Sequence, residues 1–158
     1  MDISVRRFIE EDAEVISSIV RRNFLEININ DYSQKEMEAL AKTYGKDKIL
    51  NINCFAHSYV ALVDKQLVGC GSIASFWGSL EESILMTIFV LPELHGRGIG
   101  RKIIETLESD EYFLIAKRVE IPASITACEF YRKLGYDFKD GIKKLDGEGL
   151  YRLEKMRR

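Results

Sequence analysis

Residues 84–104 read ILMTIFVLPELHGRGIGRKII, and no other stretch of this chain carries as much structural information. An apolar run stops at Pro92, and a loop follows with glycines at positions 96, 98 and 100. Beyond it Ile99, Ile103, Ile104 and Leu107 share one face at helical spacing. The pattern predicts a strand over 84–91, a tight loop, and a helix over 98–109. Glycine lets the backbone take conformations that a β-carbon forbids and lets a ligand come close. The first turn of a helix offers unpaired N–H groups at the positive end of a dipole. Together these features make a cradle for a phosphate group.

Spacing separates the possible phosphate ligands. A Walker loop needs G-x-x-x-x-G-K-[ST], and the chain contains no Gly-Lys-Ser or Gly-Lys-Thr. A dinucleotide fingerprint needs G-x-G-x-x-G near the start of a βαβ unit. Counted from Gly96 its last glycine falls on Arg101, counted from Gly98 on Ile103, and the loop lies past the middle of the chain. What remains is His95-Gly96-Arg97-Gly98-Ile99-Gly100. It resembles the acetyl-CoA signature [QR]-x-x-G-x-[GA] of the GNAT superfamily of N-acyltransferases, with Val90, Pro92 and Glu93 leading into it. The resemblance resumes at residues 123–136, ASITACEFYRKLGY, which is similar to that family's late helix ending F-Y-x-K-L-G-F. It covers residues 57–137, with the N-terminal third compatible. One position departs from the pattern. His95 stands where the family carries Gln or Arg, a change that a grip through backbone N–H groups tolerates and that also suits a solvent-facing loop residue.

The resemblance implies the GNAT fold: an α/β domain with a single mixed, largely antiparallel sheet, splayed central parallel strands and about four flanking helices. Acetyl-CoA would enter the V-shaped opening, and its acetyl group would pass to a primary amine, in a small molecule or a peptide, by direct attack. That chemistry needs a neutral amine, although free alkyl amines have a pKa of roughly 10. It also needs a fixed donor for the charge on the carbonyl oxygen and an acid for the departing thiolate. The implied cofactor-binding residues are Ile88, Phe89 and Val90 on the strand, the loop His95, Gly96, Arg97, Gly98, Ile99, Gly100 and Arg101, and Ser124, where many relatives carry Asn. Read without the resemblance, the strand residues are core, the arginines are solvated and Ser124 caps a helix. The implied acid is Tyr131, which beside Phe130 otherwise reads as a core aromatic. Many relatives take their base from a Glu on the strand before the loop, where this chain has Leu85-Met86-Thr87-Ile88. Glu82, with Glu81 beside it, is the candidate base acting through water, against a reading of both as solvated acids. Trp77 with Phe76, and the 24–32 connection, are candidate acceptor walls. The missing strand Glu keeps a second reading open, an acyl-CoA-binding sensor or partner module with little turnover.

The whole chain sets bounds on these readings. Its 158 residues suit one domain over 1–158, and no repeat or linker composition divides them. Apolar content of 46%, charged content of 30% and a net charge of −2 give no broad basic footprint for nucleic acid. Cys54, Cys70 and Cys128 form no C-x-x-C pair, and only His57 and His95 join them, so no metal site is expected. Cys128 as an acyl acceptor lacks a Cys-His pairing signal. The opening MDISVRRFIEED has no apolar signal core and no run approaches membrane-spanning length, so the expectation is a cytoplasmic protein without a membrane partner. Homodimers are common in such folds, but no interface signal stands out.

Along the chain, Ile3 and Val5 suggest an opening strand, and Asp12 an N-cap for a helix carrying Val15, Ile16, Ile19, Val20 and Phe24. Ser33-Gln34-Lys35-Glu36 is a capping box for a second helix closed by Gly45. Residues 58–73 predict two strands around an Asp64-Lys65-Gln66 turn. Residues 111–117 fit a short helix or a strand, and 118–123 fit a strand. Ser124 or Thr126 caps the next helix, and 136–142 pairs with 150–156 to close the sheet.

Overall fold

A computed structural model of the protein describes residues 1–157. Strand β1 (Ile3–Arg7) leads to three helices, α1 (Ala13–Glu26), α2 (Gln34–Thr43) and α3 (Lys46–Phe55). Strands β2 (His57–Val63), β3 (Gln66–Phe76) and β4 (Ser79–Val90) then form a meander. After it come α4 (Ile99–Leu107), α5 (Glu111–Ile115), β5 (Arg118–Ala123), α6 (Cys128–Lys133), β6 (Asp137–Phe138) and β7 (Tyr151–Met156). The strands make one sheet in the order β1-β2-β3-β4-β5-β7-β6, antiparallel throughout except for β4 with β5. This is the mixed, split sheet expected, with six α-helices among the described residues rather than four.

Helices cover both faces. On one face the α4 stripe Ile99, Ile103, Ile104 and Leu107 packs with Leu85, Val119, Ile121 and Leu153, all 1% exposed or less. On the other, Ile16, Ile19, Val20 and Phe24 of α1 meet Met37, Ala41, Ile49 and Val60. Close approach of α4 to β3 depends on Gly71, where a β-carbon would lie 2.6 Å from Ile103 Cγ2.

Two hairpins turn tightly. Asp64-Lys65 and Trp77-Gly78 both have positive φ at each turn residue, at 50° and 68° and at 55° and 76°, between the pairs Val63–Gln66 and Phe76–Ser79. That is the mirror-image turn whose twist matches a hairpin. The second turn makes β4 begin at Ser79, earlier than the apolar run suggests.

The capping box is present: Ser33 Oγ accepts from Glu36 N at 3.1 Å, and Glu36 Oε1 accepts from Ser33 N at 3.4 Å. Other local expectations shift. Asp12 does not cap α1; its carboxylate accepts from Ile9 N at 2.9 Å and pairs with Arg6 at 2.8 Å. Tyr44 ends α2, and Gly45 starts α3, a helix the pattern did not predict. The ambiguous 111–117 segment forms α5, its Tyr112 N capped by Asp110 at 2.8 Å. The last hairpin keeps only Asp137–Phe138 of its first strand, because Asp140 takes φ 54° inside a 3-10 turn.

The sheet splits between β4 and β5. They pair only at Glu82–Arg118, Ser83–Val119 and Ile84–Glu120. Beyond that, β4 runs on to Val90 and β5 to Ala123 without touching as a ladder. On β4 the register with β3 slips between the partners of Cys70 and Ser72, and Thr87 there takes φ 52°. A β-branched residue in that conformation is a true outlier, costing on the order of 1–3 kcal/mol. The bulge bends β4 away from β5.

Candidate active site

The opening between β4 and β5 faces the start of α4. Gly98 caps that helix at φ 86° and Gly96 precedes it at φ 78°, both with open space where a side chain would stand. The first α-helical bond of α4 runs from Lys102 N to Gly98 O at 3.1 Å, and no side chain caps the end. The N–H groups of Ile99, Gly100 and Arg101 are therefore the unpaired donors of a first helical turn. Gly100 serves a different end: a β-carbon there would meet Phe130 Cζ of α6 at 3.0 Å. Arg97 and Arg101 are exposed and make no ion pair among the described residues. Donors, dipole and unpaired cations fit a phosphate or pyrophosphate group.

Val90 is the best-defined edge of the opening. Leu91 N donates to Val68 O of β3 at 2.8 Å. Ladder bonds alternate along a strand, so Val90 turns its N–H and C=O away from β3 and into the split. Its carbonyl accepts from Asn23 Nδ2 of α1 and from His95 Nε2, each at 2.9 Å. The Val90 N–H stays available. Phe89 differs. It pairs with Cys70, which puts its N–H on the β3 side, and its ring meets Phe24 edge-on at 5.4 Å. Ile88 sits on the bulge, its side chain packed into the α4 core.

The His95 residue is exposed, yet its ring is tethered to the strand through this bond. Since the Val90 oxygen can only accept, Nε2 carries the hydrogen. The ring ties the glycine loop to the end of β4, and the loop backbone is left to face a ligand.

Tyr131 comes from α6 on the opposite wall. Its side chain is buried, 6% exposed, yet its hydroxyl bonds to no described residue. No fully enclosed side-chain polar atom lacks a partner among the described residues, so the phenol oxygen keeps contact with solvent. Burial pushes the phenol well above its usual pKa, with a smaller push from Cys70. The Cys70 thiol donates to Thr87 O at 3.3 Å, and burial raises its pKa to about 12. Tyr131 is therefore a protonated donor at neutral pH, in the same core cluster as Val90 and Ile88. Cys70 and Cys128, both raised by burial, are poor nucleophiles.

Ser124 Oγ accepts from Ala127 N at 3.2 Å within the turn before α6, and neither Ser124 nor Thr126 caps the helix itself, whose N-cap is Ala127 without a side-chain bond. That turn is crossed by the 27–32 connection. Asp31 accepts from Thr126 N at 3.0 Å and Oγ1 at 2.6 Å, while Tyr32 Oη donates to Gly149 O at 2.6 Å and accepts from Ile125 N at 3.3 Å. These bonds bridge the β4 side of the split to the β5–β7 side.

Glu82 is not brought to the opening. It pairs with Arg118 Nη1 at 2.9 Å where β4 and β5 are still joined, and Val90 lies eight residues on, roughly 25 Å along the strand. Glu81 pairs with Lys117 at 3.1 Å. Trp77, 90% exposed on its hairpin, also lies at that far end. Asn23 escaped the sequence reading, although a polar residue within the stripe Ile16, Ile19, Val20 and Phe24 was a visible signal. Among the described residues no cluster of three metal-ligating side chains occurs, and no helix is long and apolar enough to cross a membrane.

Comparison with known proteins agrees with this geometry. No curated protein matches the sequence. Among solved structures, PaiA N-acetyltransferase from Thermoplasma acidophilum, in complex with coenzyme A, superposes with a TM-score of 0.84 at 21% identity, covering 99% of both chains. A GCN5-related N-acetyltransferase from Rhodopseudomonas palustris gives 0.78 at 24% identity, over 99% of this chain and 98% of the other. N-acetylglutamate synthase from Neisseria gonorrhoeae, complexed with coenzyme A and L-arginine, gives 0.67 at 14%, over 99% of this chain and 33% of that one. The sequence model described as Acetyltransferase (GNAT) domain matches residues 55–137. That match takes in more than half of the chain, including the bulged strand, the glycine loop and the Tyr131 helix, and the protein belongs to the GNAT family of acetyltransferases.

Proposed function

We propose that this chain, acting as a single domain, transfers the acetyl group of acetyl-CoA to a primary amine by direct attack. The observation that carries the reading is a strand end at Val90 turned into the split, and it is supported by the uncapped start of α4 beside it and by a buried Tyr131 in the same core cluster as Val90. Coenzyme A in two of the structural neighbours supports the choice of donor. The thioester, when bound, supplies the electrophilic carbonyl carbon. Ile99, Gly100 and Arg101 N–H hold its phosphates, with Arg97 and Arg101 side chains neutralising charge. Val90 N–H faces the carbonyl oxygen as negative charge develops there.

The bond that forms joins nitrogen to the acyl carbon, and the bond that breaks joins that carbon to sulfur. Tyr131 gives its proton to the departing sulfur. Because burial disfavours the phenolate, Tyr131 recovers a proton from solvent. The proton shed by nitrogen goes to water at the mouth of the split, and Glu82 has no part in the step. A small or terminal amine suits an opening bridged by Asp31 and Tyr32. A reducing compartment such as the cytoplasm suits the free cysteines 54, 70 and 128.

The test is thiol release from acetyl-CoA across an amine panel by wild type and Tyr131→Phe. The phenol's role predicts a loss of roughly 10²–10⁴-fold in kcat with acetyl-CoA affinity retained. Equal rates in both proteins would remove Tyr131 from the mechanism.

A further inference from the structure

Asn23 is 4% exposed and belongs to the sheet-facing stripe of α1. Its amide contacts are Ile19 O and Val90 O, both at 2.9 Å. Both partners are carbonyl oxygens, which accept only, so the nitrogen must face them and its two hydrogens are both used. Oδ1 is then an acceptor without a donor among the described residues. It is not sealed in either, because no fully enclosed side-chain polar atom is left unpaired. A side chain that is nearly all buried thus keeps one accessible acceptor, next to the strand carbonyl that points into the split.

The side of the sheet suggests what fills it. The phosphate cradle and Tyr131 belong to α4 and α6 on one face. Asn23 reaches Val90 from α1 on the other, beside Phe24 and Phe89. A donor held by α4 leaves the α1 side for the incoming nucleophile. The group needed there has an N–H to give and a lone pair to direct at the acyl carbon, and a primary amine has both.

We propose that Asn23 Oδ1 accepts a hydrogen bond from the acceptor amine and aims its nitrogen at the thioester, making Asn23 a substrate-positioning residue. The assignment rests on the acetyltransferase reading above. The carboxamide removes no proton, being far too weak a base; it fixes orientation, which is worth most when the reacting atoms are close. One N–H stays on Oδ1, and the proton lost on attack is the other.

The experiment compares wild type, Asn23→Ala and the volume-matched Asn23→Leu. Acetyl-CoA is the donor, and each acceptor is run beside its N-methyl counterpart: butylamine with N-methylbutylamine, benzylamine with N-methylbenzylamine, glycinamide with sarcosinamide. Acetyl-CoA affinity is measured separately by calorimetry. Loss of a hydrogen bond to a nitrogen that gains positive charge as it attacks predicts a fall of about 10- to 100-fold in kcat/KM for the primary amine. The wild-type preference for primary over N-methyl amine should collapse toward unity in Asn23→Leu as well as in Asn23→Ala; the Leu variant opens no room for the N-methyl group, so loosened packing would not account for it. Acetyl-CoA affinity should stay within about threefold, since the cradle lies on the other face. An unchanged primary-to-secondary preference, or losses of amine and acetyl-CoA binding in equal measure, would overturn the assignment. Acetyl-CoA binding without turnover of any amine by the wild type would instead bring down the acetyltransferase reading, and the Asn23 role with it.

Discussion

Gly71→Ala should disturb the fold and the site together. Gly71 lies on β3 opposite the bulge, and a β-carbon there would stand 2.6 Å from Ile103 Cγ2, 3.1 Å from Leu107 Cδ1 and 3.4 Å from Ile88 Cγ1. The first contact is shorter than carbon atoms tolerate, and Ile103 cannot swing clear. It is fully buried, and a β-branched side chain in a helix is held to one χ1 well. The helix must move instead, carrying the Gly98 cap with it. Overpacking of this kind costs about 1–3 kcal/mol. For a domain of this size that is a fall of roughly 2–12 °C in Tm. Acetyl-CoA affinity should weaken in parallel, since the cradle rides on α4. A double-mutant cycle with Ile103→Ala isolates the contact. Ile103→Ala alone should cost about 2–5 kcal/mol through the cavity it leaves. Adding Gly71→Ala to it should cost at least about 1 kcal/mol less than in the wild type. Thermal melts and calorimetric acetyl-CoA titrations of the four proteins suffice. A Tm within about 1 °C of wild type for Gly71→Ala, or equal costs on both backgrounds, would refute the clash as the cause.

Other outcomes follow from the same geometry. Glu120, 1% exposed, is bound by Arg118, by Lys139 at 3.1 Å and by Arg152 at 3.3 Å. Glu120→Gln should destabilise the protein by about 3 kcal/mol, at the low end for a broken buried pair because Arg118 keeps Glu82 and Glu154. Burial by itself would raise the Glu120 carboxyl, but bonds from Arg118 and Lys139 bring it below its ordinary 4.5. A carboxyl lowered by folding stabilises above that ordinary value and loses the benefit as pH falls through its folded value. Urea unfolding should therefore show the full gap between wild type and Glu120→Gln near neutrality, narrowing below pH 4.5. A gap constant with pH would contradict the ionic origin. At the loop, His95→Ala should weaken acetyl-CoA binding by about 2- to 10-fold through loss of one neutral hydrogen bond. His95→Gln, which keeps a donor, should recover most of it in the same titration; equal weakening in both would mean the ring acts otherwise.

What could be read beforehand was mostly local. Ser33 and Glu36 announce a capping box that needs no tertiary partner, and the glycines at 96 and 98 announce a backbone that other residues resist. Helix α3 was hidden because only Ile49 and Ile52 of KDKILNINCF are buried, too thin a stripe to register, with two asparagines of poor helix propensity between apolar residues. The failures at the site share one physical origin. Whether Glu82 or Val90 lies in the split depends on where two strands distant in sequence stop pairing, and here the ladder ends at Ile84, three residues before the bulge at Thr87. Asn23 likewise acquires meaning only once α1 is laid against Val90.

The measurement to make is mass-spectrometric detection of N-acetyl product from purified protein, acetyl-CoA and a panel of primary amines, with free CoA counted in the same reaction. The proposed function predicts an acetylated amine formed one-for-one with CoA and absent without protein. Tight acetyl-CoA binding with neither product would contradict catalysis and leave a protein that only senses the thioester.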